Sequence, residues 1–326
     1  MRWKDAFRRA LPFLRVAYVA GLIAVLAWQL TAHWDDLGRL VRGASPLPLI
    51  AALATALAQI GLSSAFWTSA LSAMGERARW SPVVLATVRS LPARHLPGSV
   101  WYVVGKMVLL RQSGFAKRSL AVAGALETLL TPMVGLTLGA LLLALSRRGA
   151  QTPWVTLLAA AALLTVTSPP VINLGLRLLA RWRGGGAVRL PWGRHLRLVA
   201  WNVGFWSCSA LTFFLYLSAF PEITAPTGPV QVTGAYMFAW GVGFLAVFAP
   251  QGLGVFELTF VSLAGLGGLP GVVLVVAGFR VLMIARDLLL LPLMLRLPPA
   301  RVAASEPVLG ESGATASSAH ESAARE

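Results

Sequence analysis

From Pro46 to Met74 the chain carries no charged side chain. In water such a run would have to be buried on every face. In a bilayer it is the length of a spanning helix, for which about 20 apolar residues suffice. Predominantly apolar runs of similar length recur at Phe13–Leu30, Ser119–Leu145, Trp154–Leu176, Leu198–Phe220 and Gly271–Leu295, with Arg15, Glu127, Arg280, Arg286 and Asp287 as the charges within them. Only 12% of the 326 residues are charged and 57% are hydrophobic, against roughly a quarter charged in soluble domains. The chain therefore reads as an all-α polytopic membrane protein, with one membrane domain over residues 1–297. Residues 298–326, rich in Ala, Ser and Glu with no apolar period, read as a disordered tail.

Two further apolar segments are broken in the middle. Ser81–Leu110 contains Leu91-Pro92-Ala93-Arg94-His95-Leu96-Pro97-Gly98, and Val232–Gly267 contains Phe248-Ala-Pro250-Gln-Gly252-Leu-Gly254-Val-Phe-Glu257. Proline and glycine cannot continue a helix through either stretch, and irregular backbone at membrane depth is tolerated only inside protein or beside a cavity. The sequence thus predicts eight hydrophobic segments: about six full spans and two broken-helix hairpins whose breaks meet in the interior. A faint internal echo, in which each break is followed by a span with one buried charge (Glu127, then Arg280), suggests a repeat of the kind that transporters use.

Charge decides the topology. The net charge of +16 suggests nucleic acid at first sight, but the basic residues sit in short loops beside apolar runs, as the positive-inside rule describes. No nucleic-acid partner is expected. If Ser81–Leu110 crossed the membrane fully, the loop holding Arg177, Arg181, Arg183, Arg189, Arg194 and Arg197 would lie outside. If it enters and returns, that loop, the basic N-terminal segment and the loops around Arg77 and Arg111–Arg118 all lie in the cytoplasm. The second topology is favoured. It makes the first hairpin re-entrant from the cytoplasm, the second re-entrant from outside, and both termini cytoplasmic. Each limb of the first hairpin is roughly 12 residues, about 18 Å of helix, which reaches just past the middle of a core about 30 Å thick. The first limb of the second hairpin, Val232–Ala249, nearly spans by itself, so re-entrant and fully spanning forms both stand for that segment. The N-terminal segment reads as an anchor with no cleavage site.

Intramembrane charges mark the candidate site. Arg94 and His95 lie in the first break, where a guanidinium and free backbone N–H groups suit an anionic headgroup. The competing reading is that Arg94 neutralises Glu127 or Glu257, and that His95 is a hydrogen-bonded interior histidine rather than a proton carrier. Glu257 follows Gly254 near a helix start, where it either caps the helix or serves the site. Glu127 and Arg280 lie inside spans and either pair with each other or line the pathway. Pro92, Pro97, Gly98, Pro250, Gly252 and Gly254 shape the breaks. Arg89 and Lys106 are close enough to the cytoplasmic face to snorkel. Arg286 and Asp287 read as structural. Trp80, Trp101, Trp154 and Trp192 read as interfacial anchors, and Cys208 as a small packing residue.

No phosphate loop, His-Glu-x-x-His pair, Cys/His cluster or Gly-x-Ser-x-Gly elbow occurs in the sequence. No cofactor or metal is expected, and His95 with Glu127 is the one pair to name for a transferase.

The pattern Leu91-Pro-x-Arg94-x-x-Pro97-Gly98-x-x-Trp101, then Gly114 and Glu127, then Pro250-x-Gly252-x-Gly254-x-x-Glu257 and Arg280, resembles the lysylphosphatidylglycerol synthase transmembrane family over about residues 10–297. In its two-domain members, a membrane part that is thought to move lipid between leaflets is joined to a soluble aminoacyl-transfer domain. The stretch after Pro298 is too short for that domain, so synthase activity is not carried over. The resemblance implies a flippase-like translocase of lipid or lipid-linked intermediates in a bacterial inner membrane. Its expected partners are an anionic phospholipid or polyprenyl-linked lipid, with a lipid-modifying enzyme or a second copy as further partners. A non-catalytic partner of a glycosyltransferase or lipid synthase, and a membrane-embedded lipid transferase, are the alternatives.

Overall fold

The computed structural model describes residues 31, 34–95, 101–146, 158, 161, 164–165, 167–182, 189–224, 227–246, 249, 252–269, 271–290 and 292. Among them all regular structure is helical. A short α1 (Trp34–Arg42) leads into α2 (Pro46–Ala73), whose prolines occupy first-turn positions that need no amide donor. The helices α3 (Trp80–Ser90) and α4 (Trp101–Gln112) flank a 3-10 turn over Leu91–His95. Then follow α5 (Lys117–Leu145), α6 (Pro169–Trp182), α7 (Trp192–Ser218) and a single turn, α8 (Pro221–Thr224). The chain continues with α9 (Pro229–Leu245), α10 (Val255–Ala264) and α11 (Val272–Leu289).

Three of the described helices, α2, α5 and α7, are long and apolar enough to cross a membrane. The expected first span, Phe13–Leu30, and most of Trp154–Leu176 lie outside the described residues, as does the 298–326 tail. Two boundaries differ from expectation. α7 begins at Trp192, six residues before the expected Leu198, because Pro191 holds an extended backbone there and the helix starts straight after it. Arg194 and Arg197 are therefore helical rather than in a loop. The expected boundary at Leu176 also moves: Pro169 and Pro170 open α6, which carries Arg177 and Arg181 on to Trp182.

Hydrogen bonds between helix ends sort the bundle into two ends. At one, the Arg194 guanidinium donates to the Ala73 carbonyl (2.8 Å), and the Ala116 amide donates to the Glu76 carboxylate (3.2 Å). Glu76 precedes α3 and Ala116 follows α4, so the hairpin made by α3 and α4 begins and finishes at the same end. At the other end, the Ser45 amide donates to the Ala219 carbonyl (2.9 Å). There the Gln231 amide donates to the last carbonyls of α10, Leu263 (3.0 Å) and Ala264 (3.2 Å). The start of α9 and the finish of α10 thus also share an end, the opposite one. The exposed cations Arg77, Arg79, Arg111, Lys117, Arg118, Arg189, Arg194 and Arg197 gather at the first end.

Close packing holds the second hairpin. A Cβ on Gly139 of α5 would lie 2.5 Å from the Phe238 amide nitrogen, and one on Gly234 of α9 would lie 3.0 Å from the Leu143 amide nitrogen. The backbones meet there, as small residues allow between helices in lipid. Below the crossing an aromatic cluster joins α7, α9, α10 and α11: Phe213 stacks on Tyr236 (4.5 Å between centroids) and meets Phe260 and Phe279 edge-on at 4.9 Å. Such offset and edge contacts replace the hydrophobic drive that lipid does not supply.

Candidate functional site

The first break becomes the 3-10 turn Leu91–His95 because α3 cannot pass Pro92 with regular hydrogen bonding. The turn carries Arg94, whose guanidinium lies 4.8 Å from the Tyr102 ring centroid, a cation–π distance. One turn further along α4, Lys106 is fully buried. Its ammonium donates to Glu127 (2.9 Å) and Ser63 (3.3 Å), and packs 4.2 Å from the Tyr102 centroid and 4.9 Å from the Trp67 ring. The other Glu127 oxygen accepts from Trp67 Nε1 at 2.8 Å. The expectation that Lys106 snorkels to the surface is thus corrected: it points inward, because a carboxylate and two aromatic faces meet it there.

The second break ends in two glycines that take left-handed backbone. Gly252 has φ +66° and a Cβ there would sit 2.7 Å from the Gly243 Cα, so any side chain is excluded twice over. Gly254, with φ +80°, stands just before α10, and its amide donates to the Glu257 carboxylate (2.7 Å). Glue between the second hairpin and α11 comes from the other oxygen of Glu257, which accepts from Arg280 Nε and Nη2, both at 2.9 Å. Glu127 and Arg280 therefore do not pair with each other; each has its own partner, Lys106 and Glu257. Arg286 and Asp287, buried neighbours on α11, form a further ion pair.

Between the two hairpins lies a cavity of about 390 Å³. Arg94, Glu127 and Arg280 all line it, and most of the remaining wall is apolar, with Phe205, Trp240 and Phe256 among its aromatic faces. Glu257 lies one ion pair behind Arg280. Of the other residues singled out by sequence, Pro97, Gly98, Pro250 and the His95 side chain lie outside the described residues. Glu127, the partner named for a transferase with His95, has both oxygens engaged by Lys106 and Trp67. Among the described residues no three His, Cys, Asp or Glu side chains cluster as metal ligands would.

Sequence reasoning passed over Tyr102, Trp67 and the polar residues that α2 and α7 bring to the cavity, Gln59, Ser63, Asn202 and Ser209. One signal was there to find: Tyr102 and Lys106 stand four residues apart on α4, hence on one helix face.

The helical bundle, with its two broken segments and a cavity lined by Arg94, Glu127 and Arg280, carries the motif pattern noted in the sequence. A family model described as the lysylphosphatidylglycerol synthase TM region matches residues 13–284. The chain belongs to this family. Searches among curated proteins and among solved structures find no match. As a member of the lysylphosphatidylglycerol synthase transmembrane family it is a multi-pass membrane protein, and the match is to the membrane region of that family, with no catalytic domain detected by it.

Proposed function

We propose that the chain moves an anionic amphiphile between membrane leaflets, with the headgroup in the cavity between the hairpins and the tails in lipid. The observation that carries this reading is the cavity itself. It lies between broken hairpins that enter from opposite ends, and its charged lining comes from both halves of the chain. Discontinuous helices meeting at mid-depth are the usual site geometry of secondary transporters.

In this reading α3–α4 is re-entrant. Its limbs of 11 and 12 residues are about 17–18 Å long, too short for a core about 30 Å thick, and both mouths share one end. The α9–α10 hairpin is re-entrant from the other side; α9, with 17 residues, reaches most of the way and α10, with 10, does not. The end bearing the exposed arginines faces the cytoplasm of a bacterial inner membrane, with both termini on that side. Arg94 holds the phosphate. The Lys106–Glu127 and Arg280–Glu257 pairs keep the remaining buried charge balanced while the headgroup passes.

The test is leaflet exchange of headgroup-labelled phosphatidylglycerol by purified protein in liposomes. Wild type is compared with Arg94→Ala and Glu257→Ala. Loss of one charge-assisted hydrogen bond predicts a fall of about ten- to a hundredfold for Arg94→Ala. Equal exchange in all three folded proteins, or none in any, overturns translocation and leaves the chain as a non-catalytic partner of a lipid-modifying enzyme.

A further inference from the structure

We infer that the exposed basic end of the bundle is a docking surface for an acidic segment of the same chain, residues 302–326, which lies back across the mouth of the first hairpin. The contact is independent of what passes through the cavity.

Three separate stretches build this face. Arg77 and Arg79 precede α3, Arg111, Lys117 and Arg118 lie where α4 ends and α5 begins, and Arg189, Arg194 and Arg197 lie around the start of α7; all are exposed. The bonds from Arg194 to the Ala73 carbonyl and from the Ala116 amide to Glu76 draw the three stretches together. Among the described residues Glu76 is the one carboxylate at this end. Helix polarity adds to the charge. α3, α5 and α7 all begin here, and their caps, Arg79, Ala116 and Pro191, make no side-chain capping bond; none of the three carries an acid in its first turn. Helix starts are partly positive and favour carboxylates. Instead they meet Arg79 at one cap, Lys117 and Arg118 in the next first turn, and Arg194 in the third. Positive side chains on positive helix ends leave a surface that an added anionic segment stabilises.

The occupant is named by charge and reach. Residues 302–326 hold Glu306, Glu311, Glu321 and Glu326 against Arg325, the most acidic stretch of a chain whose net charge is +16. α11 starts beyond the finish of α10, at the opposite end of the bundle, and runs towards the basic end. Leu290, just past it, packs on Ile60, Val88 and Leu91, the inner part of the first hairpin. From there the basic end is one α3 length away, 11 residues or about 17 Å. Glu306 follows Pro292 by 14 residues, an extended span of up to about 46 Å, so every carboxylate of the segment can reach the face. Exposed ion pairs are individually weak, but several on one tether share a high effective concentration and act together.

The experiment is zero-length carbodiimide cross-linking of the purified full chain in phosphatidylcholine nanodiscs, read by peptide mass mapping. The chain has three lysines: Lys106 is fully buried, Lys117 is exposed on the face, and Lys4 lies in the N-terminal segment. At about 0.01 M salt, where charges act over about 30 Å, Lys117 is expected to link to glutamates of residues 302–326. At about 1 M, where that range shrinks to about 3 Å, the yield should fall about tenfold. The amines introduced by Arg79→Lys and Arg197→Lys, which keep the charge of the face, should link to the same glutamates. Absence of links from all three positions at low salt overturns the contact, and so does a yield that salt leaves unchanged. Links between ordinary and isotope-labelled chains in a mixture overturn it in favour of a second copy. Links that form in phosphatidylcholine and vanish in phosphatidylglycerol nanodiscs overturn it in favour of the lipid surface.

Discussion

The Lys106–Glu127 pair offers a direct test of how the first hairpin is held. Lys106 is fully buried and Glu127 12% exposed in its side chain, with 2.9 Å between them. Glu127→Ala leaves the ammonium among Tyr102, Trp67 and Ser63, with only a hydroxyl at 3.3 Å to bond. Removing one partner of a buried pair costs about 3–5 kcal/mol, and the partial exposure of Glu127 argues for the lower figure. At about 2 °C per kcal/mol for a large chain, the unfolding midpoint in micelles should fall by about 6 °C. The double variant Lys106→Met with Glu127→Gln removes both charges, and its amide oxygen still accepts from Trp67 Nε1. A buried pair replaced by neutral groups of similar size is close to neutral in stability, so this variant should stay within about 1 kcal/mol, or 2 °C, of wild type. Thermal unfolding followed by fluorescence-detected size exclusion reads both. The reasoning is refuted if the double variant falls as far as Glu127→Ala, or if Glu127→Ala melts with wild type.

Two further outcomes follow from the fold. In a Cys208→Ala background, Arg79→Cys and Arg111→Cys flank the first hairpin; both should react with an impermeant maleimide from the cytoplasmic face of oriented vesicles, and labelling from opposite faces would replace the re-entrant hairpin with a full span. Gly139→Ala puts a methyl against the Phe238 amide nitrogen, at 2.5 Å before any shift; overpacking against backbone predicts a loss of about 1–3 kcal/mol, whereas an unchanged melting midpoint would mean that α5 and α9 do not cross so closely.

Much of this protein is legible along the chain. The uncharged runs and sparse charge dictate a membrane solvent, since no soluble core could hide them. The Pro/Gly clusters at residues 91–98 and 248–254 dictate two breaks, because backbone chemistry there forbids a continuous helix whatever surrounds it. The basic residues beside the apolar runs gather at one end of the bundle, and a local rule also places Glu257 at the start of α10, three residues from the amide it caps. Only tertiary structure decides which charges meet. Arg94, Lys106 and Arg280 are equivalent cations in sequence, and nothing local tells that Lys106 takes Glu127 while Arg280 takes Glu257. The same holds for Gln59 on α2 and Asn202 on α7. In a soluble helix a polar face and an apolar face reveal which side turns inward, but in lipid both faces are apolar and that signal vanishes. The inward face of a membrane helix is set by how small residues and aromatics pack against neighbours far along the chain, and it is that packing which gathers the wall of the cavity.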